Sequence, residues 1–455
     1  MSSAEAQAQY EVMMAAQASY DTAAEVEAYL GTAGQTTTTG TGGATPALTL
    51  GEGYYWFVES GYSGEGMISG SEAVPFGLVL PMIDPATNEA RTDVHVYPKN
   101  TVGNEPTVDK DVTEVGNDSD SANVGDNVEW IILPTLPEDI ATYKMLKFTD
   151  DIDPALDYQN RLRVLNGSVA MLEGTDYTVT EPAVGAAGGQ LVVEFTATGI
   201  AKLTPGTNLE IRFLTSINDT AVVGLPIPND VTLEYTNGHD VTGEPATVPE
   251  EEQPEVWTGG KRFEKVVEGT TDKLAGAVFR VEELDGTTAT PVVWTADLIA
   301  MNQAAITAGK FAADNGDGTY TATTAPVVGQ PIYVISAADG SFEIAGLQGY
   351  EPTSGDPATV DDKINTISHP GTYQLVEVAA PAGYAMLPNP IPFTVTKTSY
   401  WSDPVALTAA APQEVENKRV TIPETGGIGT IVFTLAGLAL MGGAAYGMRR
   451  RTVKA

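Results

Sequence analysis

Gly259-Gly-Lys-Arg-Phe-Glu-Lys265-Val266 decides how the chain folds. Alternate residues of a strand share a face, so Phe263 and Lys265 point one way while Arg262 and Glu264 point the other. If Phe263 enters a core, Lys265 enters with it, and an inward lysine requires a reason. Outward from this stretch lie further short runs: Leu274-Ala-Gly-Ala-Val-Phe-Arg-Val281, Ser341–Leu347, Tyr373–Tyr384, Pro392-Phe-Thr-Val-Thr396 and Gln413-Glu-Val-Glu-Asn417-Lys418. Trp294–Lys310 has helical spacing through Leu298, Ile299, Met301 and Ile306. Asp314-Asn-Gly-Asp-Gly318 has calcium-loop residue types but lacks the loop's spacing and terminal glutamate, so it reads as a hairpin turn.

The upstream chain repeats the pattern. Thr107–Val112, Val124–Leu133, Met145–Ile152, Gln190–Phe195, Leu209–Leu214 and Asn229–Tyr235 are short strands with turn signals between them, the pattern of an immunoglobulin-like antiparallel sandwich. Before them, residues 1–30 read as a mildly amphipathic helix, followed by a Thr/Gly/Ala loop. Leu48–Leu50, Gly53–Glu59, Pro75–Pro81 and Thr92–Asn100 form part of a first sandwich, the last with Val94, Val96 and Tyr97 ending at Pro98. The boundaries expected are 1–101, 102–244, an extended Pro/Glu-rich linker at 245–258, 259–420, and a tail at 421–455. The fold class is therefore all-β, tandem immunoglobulin-like sandwiches followed by one transmembrane helix.

Composition narrows the function. The net charge of −37 excludes nucleic acid, whose phosphates need a basic stripe, and suits a soluble surface polymer. With 47 glycines, 29 prolines and no cysteine, an exported chain must find a crosslink other than the disulfide. His95, His239 and His369 fall in separate modules, and no nucleophile or metal-ligand motif accompanies them, so no enzyme, cofactor or metal is expected. The N-terminus, Met1-Ser-Ser-Ala-Glu-Ala-Gln7, lacks the basic and apolar regions of a signal peptide. The export implied by the tail leads to the expectation that the reading frame begins upstream.

The tail holds Ile422-Pro-Glu-Thr-Gly426, then no charge from Gly427 to Met448, then Arg449-Arg-Arg451. Twenty-two residues at helical rise cover about 33 Å, enough for a bilayer core, and the basic end stays in the cytoplasm. This order resembles the cell-wall sorting signal of Gram-positive surface proteins, with Ile422 where leucine is usual. The resemblance implies that a sortase cleaves between Thr425 and Gly426 and joins the Thr425 carbonyl to an amine. Membrane anchoring would precede sorting only.

Val94-His-Val-Tyr-Pro-Lys99-Asn100 resembles the pilin motif of sortase-assembled shaft pilins, although Ala90 stands where that family often has tryptophan. By this resemblance Lys99 is the attacking amine. The last module is similar to the Cna-B domain, and Tyr373–Tyr384 matches the pilin E-box with Val378 in place of threonine. Such modules form a Lys–Asn isopeptide bond, promoted by a buried acid, with loss of ammonia. The chemistry needs a neutral lysine, a proton donor for the amide and near-attack contact.

The family positions fall on Lys265, Asn417 and Glu377. In the middle module they fall on Lys110, Asn229 and Asp150, with Asp151 and Asn237 as alternatives. The first module's Gly53–Glu59 strand is E-box-like, but no lysine strand precedes it and no bond is expected there. The bonds would form autocatalytically and let tension bypass the hydrogen-bond ladders. Expected partners are pilin-specific and housekeeping sortases, other copies of the chain, tip or base pilins, peptidoglycan and an unidentified host ligand. The alternative is a singly wall-anchored adhesin.

Overall fold

A computed structural model describes residues 35–40, 44–61, 76–84, 86–91, 93–98, 105–238, 242–350, 371–420 and 428–452. The chain separates into two compact units. One comprises Met1–Gly259 with Gly346–Gly371 and Thr396–Thr408; the other comprises Gly260–Ala345, Thr372–Val395 and Ala409–Ala455.

In the first unit, the described N-terminal part contains one antiparallel pair, Gly53–Phe57 with Phe76–Leu80, in which Phe57 stacks on Phe76. The expected helix at 1–30 lies outside the described residues. Thr92–Asn100 was expected to be a strand, and its described part, residues 93–98, lies in none. It runs largely exposed, with Tyr97 83% accessible, and its apolar alternation finds no neighbouring ladder among the described residues. Leu48–Leu50 likewise forms no strand.

The middle module is built on the 22-residue strand Met145–Asn166. Its first half pairs with Asp230–Thr236 on one edge and Ala187–Phe195 on the other. Its second half pairs with Leu209–Ile217, which continues to Asn127–Thr135 and the opening strand Thr107–Val112. Period two holds here: Leu146, Phe148, Asp150 and Ile152 are buried, while Asp151 is exposed.

The stretch 245–258 is not the extended linker expected. Ala246–Thr247 adds to the Asp230–Thr236 edge, Val248 is buried, and Glu255–Trp257 pairs in parallel with Ser119–Ser121. The apolar side chains of Val248, Val256 and Trp257 outweigh the solvating charges around them. Two downstream segments join the same unit. Gly349 packs against the Trp257 indole so closely that a Cβ would lie 1.8 Å from the ring. Lys397 donates to Glu255 at 2.9 Å and lies over the Trp257 ring.

In the second unit, Ser341–Leu347, Gly259–Val267 and Gln413–Asn417 form one sheet. Gly259–Val267 and Gln413–Asn417 run parallel, Lys265 facing Val415 and Val267 facing Asn417. The opposing sheet is led by Val278–Asp285 and Thr372–Ala379, paired antiparallel. Phe263 stacks on Phe342 and meets Phe393 edge-on; Phe342 also stacks on Phe279. The expected helical stretch forms two short helices, Ala296–Met301 and Gln303–Thr307. The Asp314–Gly318 turn connects Phe311–Asp314 with Tyr320–Ala322 and is held by the Asn315 N–H to the Thr319 carbonyl. A 25-residue helix, Ile428–Thr452, ends the described chain.

Candidate crosslinking sites

Lys265 and Asn417 are both fully buried, on adjacent parallel strands two register positions apart. Glu377, also buried, comes from Thr372–Ala379 of the facing sheet, which runs between Val278–Asp285 and Ile391–Thr394. The lysine Nζ donates to the Val415 carbonyl at 2.8 Å and lies 6.0 Å from the centre of the Phe279 ring. Burial among these aromatics pushes its pKa down to about 8, against the opposing pull of Glu377 and Glu416. A neutral, nucleophilic amine is thereby within reach near neutrality. Asn417 Nδ2 donates to Glu377 Oε2 at 3.0 Å and to the Ala385 carbonyl at 2.7 Å. The Leu387 N–H donates to the same Oε2 at 2.7 Å.

The middle module assembles the same three residue types differently. Lys110 is fully buried under Trp130 and Phe213, its Nζ 5.1 Å and 5.6 Å from the two ring centres. It donates to Asp150 Oδ2 at 2.6 Å and to the Asp230 carbonyl at 3.2 Å. Burial lowers the lysine's pKa and raises that of Asp150 to about 6, so desolvation drives the pair toward its neutral forms. Asn229 is buried beside them, its amide near enough to Asp150 to favour the carboxylate. Neither Oδ1 nor Nδ2 of Asn229 completes a well-formed hydrogen bond among the described residues.

Of the alternatives weighed from sequence, Asp151 points outward and binds Gln190, whereas Asn237 is buried and has a partner of its own. The geometry therefore brings Lys110, Asp150 and Asn229 together. Sequence reasoning missed Ala385 and Leu387. Both act through main-chain atoms, and their only sequence signal is that they directly follow the Tyr373–Tyr384 stretch.

Lys99 and the motif residues Ile422, Pro423, Glu424, Thr425 and Gly426 lie outside the described residues. Of the heptapeptide, Val94–Pro98 is described; His95 contacts Asp93 at 3.1 Å in the open.

Residues 1–101 match the Gram-positive pilin subunit D1 N-terminal domain, residues 108–247 the Sgo0707 N2 domain, and residues 414–454 the LPXTG cell wall anchor motif. Fimbrial subunit type 1 of Actinomyces viscosus is 27% identical over 84% of this chain and 70% of its own length. Fimbrial subunit type 2 of Actinomyces naeslundii is 27% identical over 81% of this chain and 64% of its own.

Among solved structures, the 35 kDa C-terminal fragment of the major pilin GBS80 of Streptococcus agalactiae is 29% identical (TM-score 0.54). The match covers 69% of this chain and all of the fragment. The full-length major pilin SpaD of Corynebacterium diphtheriae shares the fold at 21% identity and TM-score 0.55, covering 89% of this chain and 85% of its own.

Counting described side chains alone, no helix is long and apolar enough to cross a membrane. The anchor match nonetheless spans the whole Ile428–Thr452 helix, whose first 21 residues are uncharged, and marks it as the terminal membrane segment. A singly anchored adhesin finds no support in these matches. With a pilin N-terminal domain at one end, a wall-anchor motif at the other and β-sandwich architecture between, the chain is a sortase-assembled Gram-positive pilin, a structural and non-enzymatic subunit of a surface pilus attached to the cell wall.

Proposed function

We propose that the subunit polymerises by transfer of its Thr425 carbonyl to Lys99 of another copy, and that Lys265–Asn417 and Lys110–Asn229 isopeptide bonds stiffen each copy. The observation that carries the internal bonds is the burial of two lysines, each with an asparagine and an acid, in aromatic cores. An uncompensated buried lysine is costly, and conversion to a neutral amide removes that cost permanently. Glu377 and Asp150 are the promoting acids. Each reaction balances: an Nζ–Cγ bond forms, the Cγ–Nδ2 bond breaks, and the departing nitrogen leaves as ammonia with a proton from Nζ.

The polymerisation reading rests on the Val94–Asn100 heptapeptide and Ile422–Gly426 occurring in one chain. A pilin-specific sortase would make the Thr425–Lys99 bond, and a housekeeping sortase would attach the finished fibre to peptidoglycan. Tip or base pilins and a host surface ligand complete the partners. Intact mass tests the internal bonds, which require a value two ammonia molecules below that of the sequence. Lys99→Ala tests the fibre: the ladder of high-mass species on denaturing gels should disappear, and a persisting ladder rules out Lys99 as the acceptor.

A further inference from the structure

The orientation of the Asn417 amide is settled by its neighbours. The Ala385 carbonyl, 2.7 Å away, can only accept a hydrogen bond, so the atom facing it must be Nδ2. That places Nδ2, and not Oδ1, against Glu377 Oε2 at 3.0 Å, while Oδ1 has no partner among the described residues. Oε2 is itself held by the Leu387 N–H. The short segment carrying these two main-chain groups is fixed in turn. The Ala385 N–H donates to the Lys418 carbonyl, the residue after Asn417, and the Val420 N–H donates to the Gly383 carbonyl.

We infer that Ala385–Leu387 is a main-chain positioning element for the crosslinking reaction, and that it sets Glu377 to act at the departing nitrogen of Asn417 rather than at its carbonyl oxygen. The inference rests on the Lys265–Asn417 bond proposed above. Lys265 Nζ attacks Cγ, and the proton it sheds is relayed by Glu377 to Nδ2, which leaves as ammonia while the carboxyl returns to its starting state. The middle module contrasts with this: there the acid contacts the attacking amine at 2.6 Å, and the asparagine amide has no comparable main-chain clamp among the described residues. The two acids thus differ in their contacts: Asp150 binds the attacking amine and also lies beside the Asn229 amide, whereas Glu377 meets the departing nitrogen and the Leu387 N–H.

Two measurements on the full chain test this. Leu387→Pro deletes the N–H on Glu377 while leaving Lys265, Glu377 and Asn417 in place; Leu387→Ala keeps the N–H. Peptide mapping by mass spectrometry should find the Lys265–Asn417 link formed at least 10-fold more slowly in the proline variant and at the unaltered rate in the alanine variant. Equal rates overturn the inference, whereas a missing link in the unmodified chain overturns the underlying crosslink reading. Should the proline variant not fold, Lys265→Ala, which cannot close the bond, reports the orientation directly. Both Nδ2 protons of Asn417 should be protected from solvent exchange by NMR, and free exchange of both refutes the assigned orientation.

Discussion

Replacing Lys265 with methionine removes the reactive amine but keeps an unbranched apolar stem of similar length under Phe279. The substitution therefore isolates the crosslink from the packing. Lys265 and Asn417 stand about 150 residues apart, and closing a loop of that size is worth about 5 kcal/mol in the unfolded-state entropy account. For a domain of this size each kcal/mol moves the midpoint by about 2–4 °C, so the transition of the second unit should fall by about 10–20 °C. Differential scanning calorimetry of the full chain, with peptide mapping to verify the lost bond, makes the measurement. A transition within about 3 °C of the unmodified protein, with the bond present in one and absent in the other, would falsify the claim that this crosslink stabilises the unit.

Further outcomes follow from the same geometry. Asn417→Ala leaves Lys265 uncrosslinked with a pKa lowered from 10.5 to about 8, so its contribution to stability is complete above 10.5 and is lost as pH falls through about 8. Denaturant midpoints should accordingly rise between pH 8 and 10.5 for Asn417→Ala relative to a Lys265→Met/Asn417→Ala double variant, and parallel profiles would remove Lys265 as the titrating group. Asn229→Ala should abolish the middle-module bond and Asn237→Ala should spare it, read as one ammonia loss or two in the intact mass. Gly349→Val forces a side chain into the Trp257 ring and should destabilise the first unit by about 1–3 kcal/mol, visible in its calorimetric transition. An unmoved transition would mean that residues around 349 do not pack there.

The parity of residues 262–265 was legible because it needs only the geometry of one strand, and Phe263 and Lys265 are indeed buried together. The same reasoning separates Asp150 from Asp151, but only once Leu146, Phe148 and Ile152 are known to face the core. Thr92–Asn100 was misread because alternation reports a preference for a pleated surface, not the presence of a neighbouring strand. The Pro/Glu-rich stretch was misread as an extended linker because its charges mask three apolar residues that find cover in contacts distant in sequence. Ala385 and Leu387 were invisible for another reason. Every residue but proline offers the same main-chain donor and acceptor, so an alanine and a leucine carry no mark of where those groups point.

The parallel pairing of Gly259–Val267 with Gln413–Asn417 has a mechanical meaning of its own. Two neighbouring strands running the same way put the entry of one and the exit of the other at opposite ends of the pair. A pull between those points loads the ladder in shear, all its hydrogen bonds together, whereas an antiparallel pair pulled from one end would unzip bond by bond. The Lys265–Asn417 link would then lie across a ladder already arranged in its more resistant direction, so a subunit awaiting closure of its bond is not defenceless. The bond would act as a lock on a geometry that resists force by itself.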